Sequence, residues 1–363
     1  MKRFLLPKRI ILIFFLLLFS QSSWINKSAK VLNYDLVICV DLSASTNGIL
    51  NDIRNRMWII INGIHRKYEN VNLRIGVVGY GRPSFGSSDG YVRIISNLTS
   101  DFDFLSYQLY QLKPYIEKGD QFVPLALQAM LAGLSWSKNA DAIKTVYLIG
   151  NGSAYTGSIN LEDVCEEYRN NRITVSTIFV MKENYKGKNE SGYKRIADIT
   201  GGRFYNISAE SGYEKMKLKD EEKFLISMSN SFNSTMMFFT KDAQERKKYA
   251  FETDKKMFDS GADNFAARLN YKSSGQYLSA NATFDLVSYY ILNGTFPEKI
   301  NSEFLFKEEK IFKDSEILEM AHKKAIARIR LTDEIRYLFT KIRNDTIPHK
   351  GNRLDDFVLA DSM

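Results

Sequence analysis

Asp35-Leu36-Val37-Ile38-Cys39-Val40-Asp41-Leu42-Ser43-Ala44-Ser45-Thr46-Asn47-Gly48 is the stretch whose reading decides the fold. From Tyr34 to Val40 it reads as an apolar run, expected of a strand buried on both faces. It then delivers one carboxylate, Asp41, and two hydroxyls, Ser43 and Ser45, at alternate positions. Two readings compete. Ser43, Ser45 and Asn47 are all good helix caps, and Asp41 can accept hydrogen bonds from the N–H groups of its own loop. Equally, a carboxylate with two hydroxyls is a hard-oxygen set suited to Mg²⁺, Mn²⁺ or Ca²⁺, with water filling the remaining positions.

The segments on either side decide what such a loop is attached to. Apolar residues recur at Ile49, Leu50, Ile53, Met57, Ile60, Ile61, Ile64 and Tyr68, which is helical spacing. Strands follow over Leu73–Gly81, Tyr91–Thr99, Ile143–Asn151 and Arg172–Val180, and "GYKRIADITGGRFYNI" reads as helix, glycine turn and strand. Asp101–Leu112 and Val123–Ser137 read as helices between them. Alternating helices and buried strands predict an α/β fold: a mostly parallel central sheet covered by helices on both faces. In such a sheet ligands bind at the carboxyl ends of the strands, where Asp41, Ser43 and Ser45 leave the first of them.

"DLVICVDLSASTNG" resembles the first strand and DxSxS motif of von Willebrand factor A (vWA) domains, and the order of the elements agrees over about residues 34–210. The resemblance implies a Rossmann-like fold and a metal-ion-dependent adhesion site. It also implies two further contributors: a Thr in a loop of the form G-x-T-x-T-G-x-A-L, and an Asp after the fourth strand. Counting back without gaps from Ala126-Leu127, "GDQFVPLAL" places Gly119 on the first glycine and Gln121 on the Thr. After "TVYLIG" the Asp position holds Asn151. Asp41, Ser43 and Ser45 are therefore intact, while Gln121 and Asn151 are amides that keep an oxygen and lose a charge. A site with one carboxylate binds a divalent cation more weakly and leaves it more electrophilic toward a partner's carboxylate. The "GN" pair at Gly150-Asn151 and the downstream "FDLVSYY" (Phe284 to Tyr290) are also similar to features of bacterial exported vWA proteins.

Composition bounds the partners. The net charge of +8 owes four units to Lys2, Arg3, Lys8 and Arg9, and the +4 left is too weak to argue for nucleic acid. Those four residues flank an apolar core, Ile10 to Phe19, followed by Ser20-Gln21-Ser22, the build of a secretory signal peptide over residues 1–24. The alternative is an uncleaved N-terminal anchor, the one expected membrane contact, although ten apolar residues are short for a span. The predicted location is the periplasm, or the envelope or exterior of the cell. Cys39 and Cys165 read as two buried thiols rather than a disulfide framework, and His65, His322 and His349 lack ligand spacing. Zinc hydrolysis and His-based nucleophilic chemistry are poorly supplied.

After Ser208 strand-like runs disappear and lysine density rises. The expected organisation is a vWA domain over 32–210, a mainly helical region over 211–345 and a loose tail over 346–363. In "SEILEMAHKKAIARIRLTDEIRYLFTKIRND" the residues Ile317, Met320, Ala321, Ala325, Ile329 and Ile335 form an apolar stripe, expected to pack against the first domain. The leading functional expectation is a non-enzymatic, exported module that binds a protein partner's acidic residue through a divalent cation. The alternatives are a metal-free structural or assembly protein working through its helical region, and a metal-assisted hydrolase.

Overall fold

In the computed structural model, residues 30–361 are described apart from 47, 69, 87–89, 114–117, 182–188, 209–219, 301–312 and 343–352. The signal-peptide expectation thus lies outside the described residues. Among the described residues no helix is long and apolar enough to cross a membrane.

Six strands form one sheet: β1 (Leu32–Asp41), β2 (Val71–Tyr80), β3 (Arg93–Thr99), β4 (Ile143–Gly150), β5 (Thr174–Met181) and β6 (Phe204–Ser208). Their order is β3-β2-β1-β4-β5-β6, with β3 alone antiparallel to its neighbour. This is the mostly parallel, Rossmann-like sheet the alternation predicts. Period-two alternation divides the core. Leu36, Ile38 and Val40 of β1 face the helices α1 (Ile49–Lys67) and α2 (Phe102–Gln111). Val37 and Cys39 face α3 (Val123–Gly133), α4 (Leu161–Asn170) and α5 (Glu190–Thr200). Both faces of β1 are covered, which is why its sequence is apolar without a polar side. At the base of β1, buried Asp35 takes a two-pronged ion pair from Arg74 (2.8 Å each) and the N–H of Ser137 (2.6 Å).

α3 ends at Gly133, four residues short of the helix expected to run to Ser137. The chain turns extended at Leu134, whose N–H still donates to the Met130 carbonyl (3.3 Å), and Trp136 Nε1 donates to the same carbonyl (3.0 Å).

Beyond β6 the chain is helical: α6 (Asp220–Ser234), α7 (Ala243–Ser260), α8 (Ala262–Lys272), α9 (Gly275–Asn281), α10 (Leu286–Asn293), α11 (Asp314–Ile342) and α12 (Leu354–Asp361). α7 packs on α2 and α8 on α1, so this region closes over one face of the sheet rather than projecting from it. The stripe on α11 does not pack on the first domain as expected: Ile317, Ala321 and Ala325 bury against Met237, Phe239, Leu286 and Val287 within the helical region, and Ile335 alone joins the larger core. The stripe also differs from expectation at one position. Ile317, Ala321, Ala325 and Ile335 are buried, but Ile329 is 48% exposed and Arg328 takes the buried place. Arg328 can do so because Asp285, Thr235 and Ser288 receive its guanidinium.

The expectation of a loose tail is overturned at α12. Leu354 and Val358 are buried against α1, Phe357 stacks on Tyr205 (centroids 4.4 Å apart), and the Leu359 side chain lies against Gly63. The Asp361 carboxylate accepts from Tyr147 (3.0 Å), Ser176 (2.6 Å) and Tyr205, on three different strands. Eight residues make too short a helix to stand alone, so these contacts are what order it.

A seam of buried charge joins the helical region to the sheet's own helices. Arg268 of α8 reaches Asp103 of α2 (2.6 Å) and Asp254 of α7 (3.0 Å), and its guanidinium lies over the Trp58 ring of α1 (4.3 Å). Lys272 pairs with the same Asp254 (2.5 Å). Arg268 and Lys272 are completely buried.

Candidate functional site

The site is built where β1, β2 and β4 end side by side. The register sets Val40 beside Gly79 and Ile149, and Asp41 beside Tyr80. Residues leaving these strands therefore meet at one edge. After Asp41 the chain makes a short 3-10 turn, Ala44–Thr46, tied back at two points. The Ser43 N–H donates to Asp41 Oδ1 (2.8 Å), and Thr46 Oγ1 donates to the Asp41 carbonyl (2.6 Å). α1 then begins behind Gly48, whose φ of 106° favours glycine, and no side chain caps it. Neither Ser43 nor Ser45 caps the helix; both turn to the site.

The structure brings all five expected residues together. Ser43 Oγ and Ser45 Oγ are 2.8 Å apart, Ser45 Oγ donates to Asn151 Oδ1 (2.8 Å), and Gln121 Nε2 donates to Ser43 Oγ (3.0 Å). Asn151 Nδ2 in turn donates to the Ser45 carbonyl (3.2 Å), and the Asn151 carbonyl accepts from Asn189 Nδ2 (3.2 Å). Asp41, Ser43 and Asn151 are buried and Ser45 is half-buried. Among these five side chains Asp41 carries the single formal charge.

Three glycines make the approach of Gln121 possible, and sequence reading singled out only one of them, Gly119. A Cβ on Gly152 would stand 2.0 Å from Gln121 Oε1, and one on Gly81 would stand 2.7 Å from Asp41 Oδ1. One on Gly119 would stand 2.2 Å from the Gly81 carbonyl. The signal for Gly152 is its place directly after Asn151 in "GNG". Sequence reading also missed Thr46 and Asn189, which hold the loop and Asn151 from behind.

Below the site the wall is apolar and aromatic. Tyr80 donates its hydroxyl to the Ile149 carbonyl (3.0 Å), beside the Tyr193 hydroxyl (3.3 Å), and burial raises its pKa well above the ordinary value. Burial, and after it the charge of Asp41, holds the Cys39 thiol protonated; burial pushes Cys165 up to about 12. Both cysteines are free and buried. His65 lies on α1 between Phe102 and Tyr271, bonded to the Ile61 carbonyl, and His322 stacks edge-on to Tyr290 of α10. Glu162 and Asp163 occupy the first turn of α4, where Asn160 caps them.

A strand-end loop of this form on this sheet is the mark of one class of domain. The chain belongs to the von Willebrand factor type A domain family, whose model matches residues 35–219. Solved structures similar to it include three of note. The VWA domain of SpRpn10 is 13% identical, with a TM-score of 0.38 over 50% of this chain and 91% of that one. Proximal thread matrix protein 1 from the mussel byssus, with a zinc-occupied MIDAS motif, is 16% identical, with a TM-score of 0.37 over 50% of this chain and 43% of that one. The pilus adhesin SpaC from Lactobacillus rhamnosus GG, in an open conformation, is 13% identical, with a TM-score of 0.36 over 51% of this chain and 29% of that one. The chain thus spans less than half the length of the latter two. No curated protein matches it.

Proposed function

We propose that this protein is an exported, non-enzymatic binding module that captures an acidic side chain of a protein partner through a divalent cation, Mg²⁺ or else Mn²⁺ or Ca²⁺. One observation carries the reading: the oxygens of Ser43 and Ser45, in the loop that begins at Asp41, and of Asn151, directly after β4, stand 2.8 Å apart in succession. Neighbouring oxygens around a six-coordinate Mg²⁺ stand about 2.8–3.0 Å apart, given metal–oxygen distances of about 2.0–2.1 Å. The donor set therefore fits a hard cation, with Asp41, Ser43, Ser45 and Asn151 as its holders. Gln121 is a fifth holder only with its amide turned, because Oε1 now faces Gly152 and Nε2 faces Ser43. The cation would supply an electrophilic position for a carboxylate, and the single protein carboxylate leaves that position more electron-poor than two would.

Hydrolysis is less well supported. Neither His65 nor His322 is part of the strand-end set, and Glu162 and Asp163 belong to a helix face outside it. A metal-free assembly role through the helical region is also weakened, because α7, α8 and α12 of that region pack on the helices of the sheet domain. The test is titration of Mg²⁺ and Mn²⁺ into the protein and into Asp41→Ala, followed by pull-down from the native envelope with and without EDTA. A cation-induced thermal shift lost in Asp41→Ala, with a partner released by EDTA, is the expected outcome. Equal shifts in both proteins sink the proposal.

A further inference from the structure

The proton count at the strand-end site gives the hydrogen bonds a direction. A serine hydroxyl has one proton to give. Ser45 spends its proton on Asn151 Oδ1, so the 2.8 Å contact between the two serines must be Ser43 donating to Ser45. Ser43 Oγ is then the acceptor of Gln121 Nε2. The chain runs Gln121 to Ser43 to Ser45 to Asn151, and Asn151 closes it by donating Nδ2 to the Ser45 carbonyl. An amide begins the chain and an amide ends it. An Asp at 151 would have no proton for the Ser45 carbonyl, and a side chain as short as Thr at 121 would lose the reach of Gln. Glycine at 152 admits the Gln121 amide, since any Cβ there would fall 2.0 Å from Oε1.

We infer that Gln121 and Asn151 form a latch that assembles the site's three loops without a cation, so that an incoming divalent ion meets a Ser43 Oγ with one of its two lone pairs already taken by the Gln121 Nε2 donor. The inference rests on the site assigned in the proposed function and deepens it. The two amides are then more than weak copies of ligands. They donate where a ligand would only accept, and so exchange cation affinity for a loop that stands ready-made. Cation binding in this chain then draws on the remaining lone pair of Ser43, beside an amide N–H that a positive ion repels, rather than filling an open cage. The ordering cost of the loops is met before the ion or the partner arrives.

The test uses the full chain, with EDTA and with Mn²⁺ as the probe, and reads melting temperature and Mn²⁺ affinity. In EDTA, Gln121→Thr and Asn151→Asp are each expected to melt about 2–4 °C below the unsubstituted protein, from one lost half-buried hydrogen bond. In Mn²⁺, Asn151→Asp is expected to bind on the order of tenfold more tightly, having gained a carboxylate and lost the latch. Gln121→Met, which keeps the length and removes the donor, serves if Gln121→Thr does not fold. Unchanged melting of the variants in EDTA overturns the latch even if the unsubstituted protein binds Mn²⁺. Lower melting in EDTA, with Mn²⁺ bound by Asn151→Asp and not by the unsubstituted protein, supports the latch and removes the cation from the proposed function.

Discussion

At the strand ends Asp41 stands with two hydroxyls and two amides; at the seam between α1, α2, α7 and α8, Asp103 and Asp254 stand with Arg268 and Lys272. Both clusters place polar atoms out of water, and they compensate in opposite ways. In the seam each carboxylate meets a cation, so the buried formal charge sums to zero. At the site the groups that hold the loops together are neutral: hydroxyls, side-chain amides and backbone N–H groups. The first arrangement suits a joint that never opens, because parting it would strand charges in a dry interior. The second suits a surface that exchanges partners, because each hydrogen bond within it is individually cheap to trade.

The sharpest way to break the comparison is at the seam. Arg268→Ala removes the one side chain shared by both carboxylates and leaves the Trp58 face uncovered. It is expected to cost about 3–5 kcal/mol, read as a lower urea midpoint, because Asp103 and Asp254 remain buried and under-compensated. A loss under about 1 kcal/mol, of the size seen for exposed pairs, would mean that the seam is hydrated and the two regions part readily.

The same seam has a pH signature. Desolvation by burial raises the Asp254 pKa, but Lys272 and Arg268 outweigh it and hold the carboxyl below its ordinary value of 3.8. A carboxylate depressed in the fold adds stability above its unfolded pKa and loses it as pH falls through the folded one. This part of the stability is therefore expected to be flat near neutrality and to fall below about pH 4. Asp254→Asn should be less stable at pH 7 and flatter in acid, measured by urea titrations at several pH values. Asp52, Asp101 and Asp355 act in the opposite sense: burial raises each, so their protonation on acidification favours the fold. A parallel acid limb in Asp254→Asn would assign the acid loss to other groups.

Asp361 is intermediate in size, because it is a charge held by neutral hydroxyls as well as by Arg203 (3.4 Å). Asp361→Ala is expected to cost about 1–3 kcal/mol, since it leaves buried Tyr147 only the longer bond to the Val358 carbonyl (3.5 Å) and half-frees α12. Hydrogen exchange should rise along Leu354–Asp361 before the rest of the chain. Uniform exchange would show that α12 opens only with the whole molecule.

What the sequence could reveal follows the same division. β1 and its loop were legible because buried strands and alternate-position oxygens are local patterns. Gln121 was legible only by a count from Ala126-Leu127, and the end of its amide that meets Ser43 was not, since both ends are the same letter. The seam was hidden because Arg268 and Lys272 look like a solvated face until Asp103, more than 160 residues away in sequence, is placed beside them. Ile329 and Arg328 were misjudged for the same reason: a buried arginine carries no mark of its partners Asp285 and Thr235. α12 was missed because Leu354, Phe357 and Val358 span barely one helical turn, too little periodicity to separate from chance.

The smallest expected effect on stability comes from Gly152→Ala. The added methyl meets Gln121 at Oε1 (2.0 Å), Cδ (2.5 Å) and Cβ (2.8 Å); turning the amide aside relieves the first two, and a small backbone shift must relieve the third. Gln121 can swing most of the way aside, so at this buried position the cost is expected to be about 1 kcal/mol, the centre of the ordinary range for point substitutions. The consequence at the site is larger than the consequence for the fold: displacing Oε1 carries Nε2 away from Ser43 Oγ, and the acceptor is released. Mn²⁺ titration should then show tighter binding in Gly152→Ala than in the unsubstituted protein, with only a small fall in the urea midpoint. A seam residue could not behave this way, because there any change in a partner registers first as lost stability. Weaker Mn²⁺ binding in Gly152→Ala would instead make Gln121 a ligand through its oxygen, and would bring the site closer to a cage than to a latch.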